Sequence, residues 1–148
     1  MIFVTHLLIG AVIDRIKRGP IGWALIGSAL PDLIDKPLAM AGVFDVYHSI
    51  GHSFISVICL GSIVVVTKYG RLIFLGWSSH IALDLFQIAI NGRFTDLLFI
   101  FWPWLQSPSP LALPPGAFVF YYLGSPGFFL EIVLWVGIVT KWAQTRLL

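Results

Sequence analysis

Residues 72–90 form an apolar run long enough to cross a bilayer, and it carries His80 and Asp84 one helical turn apart. No other feature constrains the fold as tightly. Ionisable side chains inside a span are costly unless they face the interior of a helical bundle and find partners there. At i and i+4 the two share one helix face. Other helices must therefore surround that face and bring complementary groups to it.

The rest of the chain agrees that lipid is the solvent. Only 11% of the 148 residues are charged and 58% are apolar, where a soluble domain carries roughly 25% charge. A soluble chain of this length has too little interior to hide so much apolar surface. The net charge of +2 is too small to argue for nucleic acid as a partner. Cys59, the single cysteine, sits in an apolar run and reads as a small core residue. Residues 1–13 lack a basic start and run into Asp14-Arg15-Ile16-Lys17-Arg18, so they read as part of the mature protein rather than as a signal peptide.

The expected architecture is a single all-α domain over residues 1–148. It is an integral membrane bundle of four to five spanning or half-spanning segments plus an interfacial one. Ile2–Ile13, about 18 Å as a helix, comes first. Pro20 then suits a first helical position for a second short apolar segment ending at Leu30, where the Pro31–Pro37 stretch breaks the pattern. Clear spans are expected at Ile50–Thr67 and Leu72–Ile90. Aromatic-rich residues 94–105 suit the membrane interface, residues 107–116 a Pro-rich loop, and residues 117–123 a short apolar piece. Ser125-Pro126 reads as the cap and first residue of a last span reaching about Trp142.

Short loops with asymmetric positive charge orient such a chain. Alternating spans put Arg15, Lys17, Arg18, Lys68, Arg71, Lys141 and Arg146 on one side, and only Lys36 and Arg93 on the other. The first side is expected to be cytoplasmic, with the C-terminus there, in the inner membrane of a prokaryote.

On this topology the chemistry-bearing residues converge. His6, Asp32, Asp35, His48, His52, His80, Asp84 and Glu131 come from separate segments, yet all fall in the outer half of the membrane. His48 and His52 are spaced i,i+4, as are His80 and Asp84, and Asp32 and Asp35 are i,i+3. Imidazoles and carboxylates suit a divalent transition metal, zinc first and manganese or iron as alternatives. The seven candidate ligands are His6, Asp32, Asp35, His48, His52, His80 and Asp84. They exceed what one tetrahedral zinc takes, so one ion or a bridged pair fits, and metal pairs serve phosphoester and amide hydrolysis. Asp45 and Asp96 read as solvated. Glu131, in the second turn of the last span, suits either the helix dipole or catalysis.

The ordered series Thr5-His6, Leu30-Pro31-Asp32 with Asp35, Gly51-His52-Ser53 and His80-Ile81-Ala82-Leu83-Asp84 resembles the membrane-bound metal-dependent hydrolases of bacterial and archaeal inner membranes. The resemblance covers residues 5–84. It implies a divalent metal, hydrolysis, and distant kinship with the helical fold of zinc-dependent phospholipase C and the single-strand nucleases. It also implies His6, Asp32, His52, His80 and Asp84 as ligands. The aspartates depart from the family's Pro-Asp-x-Asp spacing, which leaves Asp35 between roles, and His48 departs from the family's middle motif.

The expected function is hydrolysis of a phosphodiester or ester of a lipid-like substrate by metal-activated water, with Asp35 or Glu131 as the catalytic base. Lys36 and Arg93 are placed to meet an anionic head group. The competing expectation is a transition-metal or proton transporter, since intramembrane His and Asp clusters also mark ion paths. A conduit needs polar groups through the whole thickness, and the inner halves of these spans offer few.

Overall fold

A computed structural model describes residues 1–18, 22–107 and 111–144. Pro20, the centre of the Pro-rich loop and Arg146 lie outside the described residues. Every regular element among those described is helical. In chain order they are α1 (Phe3–Ile16), α2 (Trp23–Met40), a 3-10 turn (Ile50–His52), α3 (Phe54–Val64), α4 (Lys68–Ile90), a 3-10 segment (Phe94–Phe101), α5 (Pro115–Tyr122) and α6 (Pro126–Gln144).

Helices α1, α2 and α4 form the centre; α3 and α6 lie against α4 from outside. Glycines set the spacing of α2 and α4. A Cβ on Gly27 would sit 2.8 Å from the Ile73 carbonyl carbon, and one on Gly76 would sit 2.8 Å from the Ser28 nitrogen. Contacts this short exclude any side chain, and they bring the two backbones together as small residues do between membrane helices.

The interior is polar and the exterior apolar. Thr5, His6, Asp14, Ser28, Asp35, His52 and His80 are almost fully buried, while Ile63, Val66, Phe120 and Val133 are among the most exposed residues. The apolar core is small: Trp77, Ile81, Ile88 and Phe99, flanked by Leu30, Ile34 and Leu85. Two helices, Lys68–Ile90 and Pro126–Gln144, are long and apolar enough to cross a membrane.

Several boundaries differ from expectation. Helix α2 does not stop at Leu30 but runs through Pro31 and Pro37 to Met40. Each proline removes one ladder hydrogen bond, and contacts with α1, α4 and the 3-10 turn hold the helix through both, as tertiary neighbours do for prolines within membrane bundles. The span expected from Ile50 shrinks to the 11 residues of α3, because Ser53 caps that helix by accepting from the Ser56 N–H. His48 therefore lies in the loop between α2 and the 3-10 turn, and its pairing with His52 comes from the path of that loop rather than a helix face. Cys59 is exposed rather than in a core. Asp14 is buried in a basic stretch because it caps α2, accepting from the backbone of Gly22 (2.8 Å), Ala24 (2.9 Å) and Leu25 (3.3 Å). Ser125 does cap α6, accepting from the Phe128 N–H at 3.2 Å. Asp45 is exposed, but Asp96 is buried and paired with Arg93.

Candidate metal centre

Four elements meet at one end of the bundle. The start of α1 brings His6, the second half of α2 brings Asp32 and Asp35, the loop and 3-10 turn bring His48 and His52, and the second half of α4 brings His80 and Asp84. Six of these side chains converge. Their ligand atoms form three groups, each within 4.8 Å: His6, His80 and Asp84; Asp32, His52 and His80; His48, His52 and Asp84. Any two groups share one residue, so the three interlock.

The orientation of two histidines carries the chemistry. His52 Nδ1 lies 2.7 Å from Asp35 Oδ2, and that carboxylate also accepts the Ser49 N–H (2.7 Å) and the Gly51 N–H (2.8 Å). Asp35 is fully buried and serves only as an acceptor there, so His52 Nδ1 is the protonated nitrogen. His80 Nδ1 lies 2.6 Å from the Ser28 carbonyl oxygen, which can only accept. The close approach at Gly76, one turn before His80, makes that contact possible. With both Nδ1 atoms donating, a neutral His52 and a neutral His80 each turn a lone pair inward from Nε2. Those two Nε2 atoms are 3.1 Å apart. Such a pair repels unless a cation or a proton lies between them.

Asp84 adds negative charge at the same point. Its Oδ2 is 3.2 Å from His80 Nε2, 3.5 Å from His52 Nε2 and 3.6 Å from His48 Nε2. Its Oδ1 faces the other way, 3.2 Å from His6 Nε2 and 2.8 Å from the Met1 nitrogen. Both oxygens are thus engaged on different histidines, the arrangement a bridging carboxylate needs. Asp32 Oδ1 closes the site 3.6 Å from His52 Nε2 and 3.7 Å from His80 Nε2, while its Oδ2 meets Lys36 Nζ at 2.5 Å. The imidazoles of His6 and His80 stack at 3.7 Å. A set of four imidazoles and two carboxylates, most of it buried and turned on a common centre, fits a divalent metal. The acceptors on Nδ1 of His52 and His80, Asp35 and the Ser28 carbonyl, are the outer supports such ligands use.

No protein-family model, curated protein or solved structure matches this chain.

The remaining candidates stand apart from the six. Asp35 turns both oxygens to other donors, so its geometry suits orienting His52 rather than ligating or taking a proton. Glu131 is buried outside the three groups. Its Oε1 accepts the Ile2 N–H at 2.9 Å and its Oε2 has no well-aligned donor. Lys36 and Arg93, expected to meet an anionic head group, are each paired within the chain, Lys36 with Asp32 and Arg93 with Asp96. His48 is the partly exposed member, with 31% of its side chain accessible. Burial and the facing His52 hold its imidazole below the usual range, against the pull of Asp84.

Sequence reasoning missed three participants. Ser28 acts through its backbone, which no side-chain pattern reveals. Tyr122 is completely buried beside Glu131, and burial with that carboxylate pushes its phenol well up. Gln87 lies on α4 in the turn after Asp84, and its Nε2 has no hydrogen-bond partner. The one available signal was spacing, since Gln87 at i+3 and Asn91 at i+7 continue the face of Asp84.

Proposed function

We propose that the chain is a membrane-embedded, metal-dependent hydrolase of phosphodiester or ester bonds. The observation that carries this reading is the inward convergence of His52 Nε2 and His80 Nε2, at 3.1 Å, with both Nδ1 atoms already committed. His6, Asp32, His48, His52, His80 and Asp84 would hold one or two divalent ions, zinc first. Such an ion supplies Lewis acidity and lowers the pKa of water at the site.

The chain's own residues do the rest. Asp35 and the Ser28 carbonyl fix the tautomers of His52 and His80. Asp84 joins the two halves of the ligand set through its separate oxygens. Glu131, whose Oε2 has no well-aligned donor, accepts the proton of the attacking water. His48, at the open side, faces the incoming substrate. In this reading the bundle lies in an inner membrane with its site towards the outer face, the orientation that the cation asymmetry of the sequence favours.

The one-sidedness of the cluster favours hydrolysis over ion transport. Away from it, the buried Asp14 is consumed by helix capping, and the Thr67 hydroxyl caps α4. Elemental analysis of detergent-purified protein supplied with zinc or manganese should find at least one tightly held transition metal per chain. Less than a tenth of an equivalent overturns the metal centre. Metal held without hydrolysis of any member of a broad phosphodiester, phosphomonoester and ester panel, but carried across liposomes, replaces the enzyme with a transporter.

A further inference from the structure

One cavity opens beside the cluster, and its walls differ in kind. Asp32, Asp84 and His48 of the cluster line it, with the cations Lys36 and Arg93 and the apolar side chains of Phe3, Ile88, Leu111, Leu113, Phe118 and Val119. Its volume is about 130 Å³, well below the roughly 300–1,000 Å³ of a pocket for a drug-sized molecule. A compact head group and the first part of one chain fill such a space.

Both cations keep donors for a ligand. Arg93 gives Nε and one terminal nitrogen to Asp96 Oδ2; a guanidinium has five N–H groups in a planar fork that suits phosphate. Lys36 gives one hydrogen bond to Asp32 and has three N–H donors in all. Both line the same cavity as Asp32, His48 and Asp84, so an anion they hold there also lies beside the ligand set. The apolar wall is not a continuation of the core: Leu111, Leu113 and Phe118 are only partly buried and Val119 is exposed.

We propose that this cleft binds a single-chain amphiphile with a phosphate head, the phosphate between Lys36 and Arg93 and the chain along residues 111–119. The inference rests on the hydrolase reading for its choice of the head group as the reacting end, but binding itself is measurable without turnover.

A dodecyl phosphonate bearing a diazirine on its chain tests it, because the carbon–phosphorus bond resists hydrolysis. Irradiated with detergent-purified protein and mapped by mass spectrometry, the probe is expected to label residues 111–119. Unlabelled dodecyl phosphate should suppress that labelling at least ~10-fold more effectively than inorganic phosphate at equal concentration. A dodecyl trimethylammonium diazirine should not label the segment above its level elsewhere on the protein. Arg93→Gln should reduce phosphonate labelling several-fold. Since that change unpairs buried Asp96, the double variant Arg93→Gln/Asp96→Asn and the wall variant Leu113→Asp should do the same. Equal labelling by the ammonium probe, equal competition by inorganic phosphate, or indifference to all three variants overturns the proposal. Specific labelling by a protein that holds no metal and hydrolyses nothing sinks the hydrolase and leaves the binding site standing. Hydrolysis of soluble esters without labelling does the reverse.

Discussion

Asp35→Asn is the most informative single substitution, because it separates a supporting carboxylate from a ligand. Three donors converge on Asp35: the Ser49 N–H at 2.7 Å and His52 Nδ1 at 2.7 Å on one oxygen, and the Gly51 N–H at 2.8 Å on the other. An amide of the same shape has one accepting oxygen and one donating nitrogen. Turned one way, its NH₂ faces Gly51 and one donor is unmet. Turned the other, it faces both Ser49 and His52, and His52 loses the acceptor that keeps the proton on its Nδ1. Each unmet buried donor costs about 1–3 kcal/mol, so the variant should melt several degrees lower. Support lost behind a metal ligand typically costs 10–100-fold in affinity, which is about 1.4–2.7 kcal/mol. Competition of detergent-purified protein against a zinc-binding dye measures that directly, with Asp45→Asn, an exposed change, as the control. An affinity within twofold of the unaltered protein refutes the account of how His52 is oriented. A loss as large as that of Asp84→Asn makes Asp35 a ligand after all.

Asp84→Asn removes the charge that meets His48, His52 and His80 while keeping the shape, and should reduce bound metal and lower turnover of a phosphodiester or ester reporter at least ~100-fold; full metal occupancy by elemental analysis refutes its place in the centre. Glu131→Gln should retain metal and slow turnover by roughly 10²–10⁴, as loss of a general base does, and unchanged turnover removes it from the mechanism. Orientation is checked in intact cells with Cys59→Ser and one new cysteine at exposed Asp45 or exposed Lys141. An impermeant reagent should label only the first, and labelling of only the second inverts the topology.

Much of the site is legible in the sequence because ionisable groups set in apolar runs need partners. The expectation that His6, Asp32, His80 and Asp84 share one level rests on taking the apolar runs as spans with a rise of about 1.5 Å per residue, and ionisable groups among apolar ones need each other as partners. The i,i+4 pair of His80 and Asp84 in α4 is of this kind, and the structure draws its ligand atoms into one set with those of His6, Asp32, His48 and His52. What periodicity misread was chain without periodicity. His48 and His52 lie before α3, where Ser53, not an apolar pattern, sets the helix start. Helix α2 passes through two prolines that local rules treat as stops, because packing against neighbours outweighs a lost ladder bond.

By itself the sequence determined that the chain is apolar enough for lipid, helical, and furnished with side chains able to hold a metal. These follow from composition, from hydrophobic run lengths and from the cost of burying charge, none of which needs a partner residue to be known. Only the tertiary structure decided which side chains face the centre and which stand behind it. It set Asp35 behind His52, the Ser28 carbonyl behind His80, and Asp96 against Arg93. Those assignments depend on two helix backbones meeting at Gly27 and Gly76 and on the path of a loop through Ser49 and Gly51. Hydrogen bonds reach about 3 Å, a scale that spacing along one helix cannot resolve between helices.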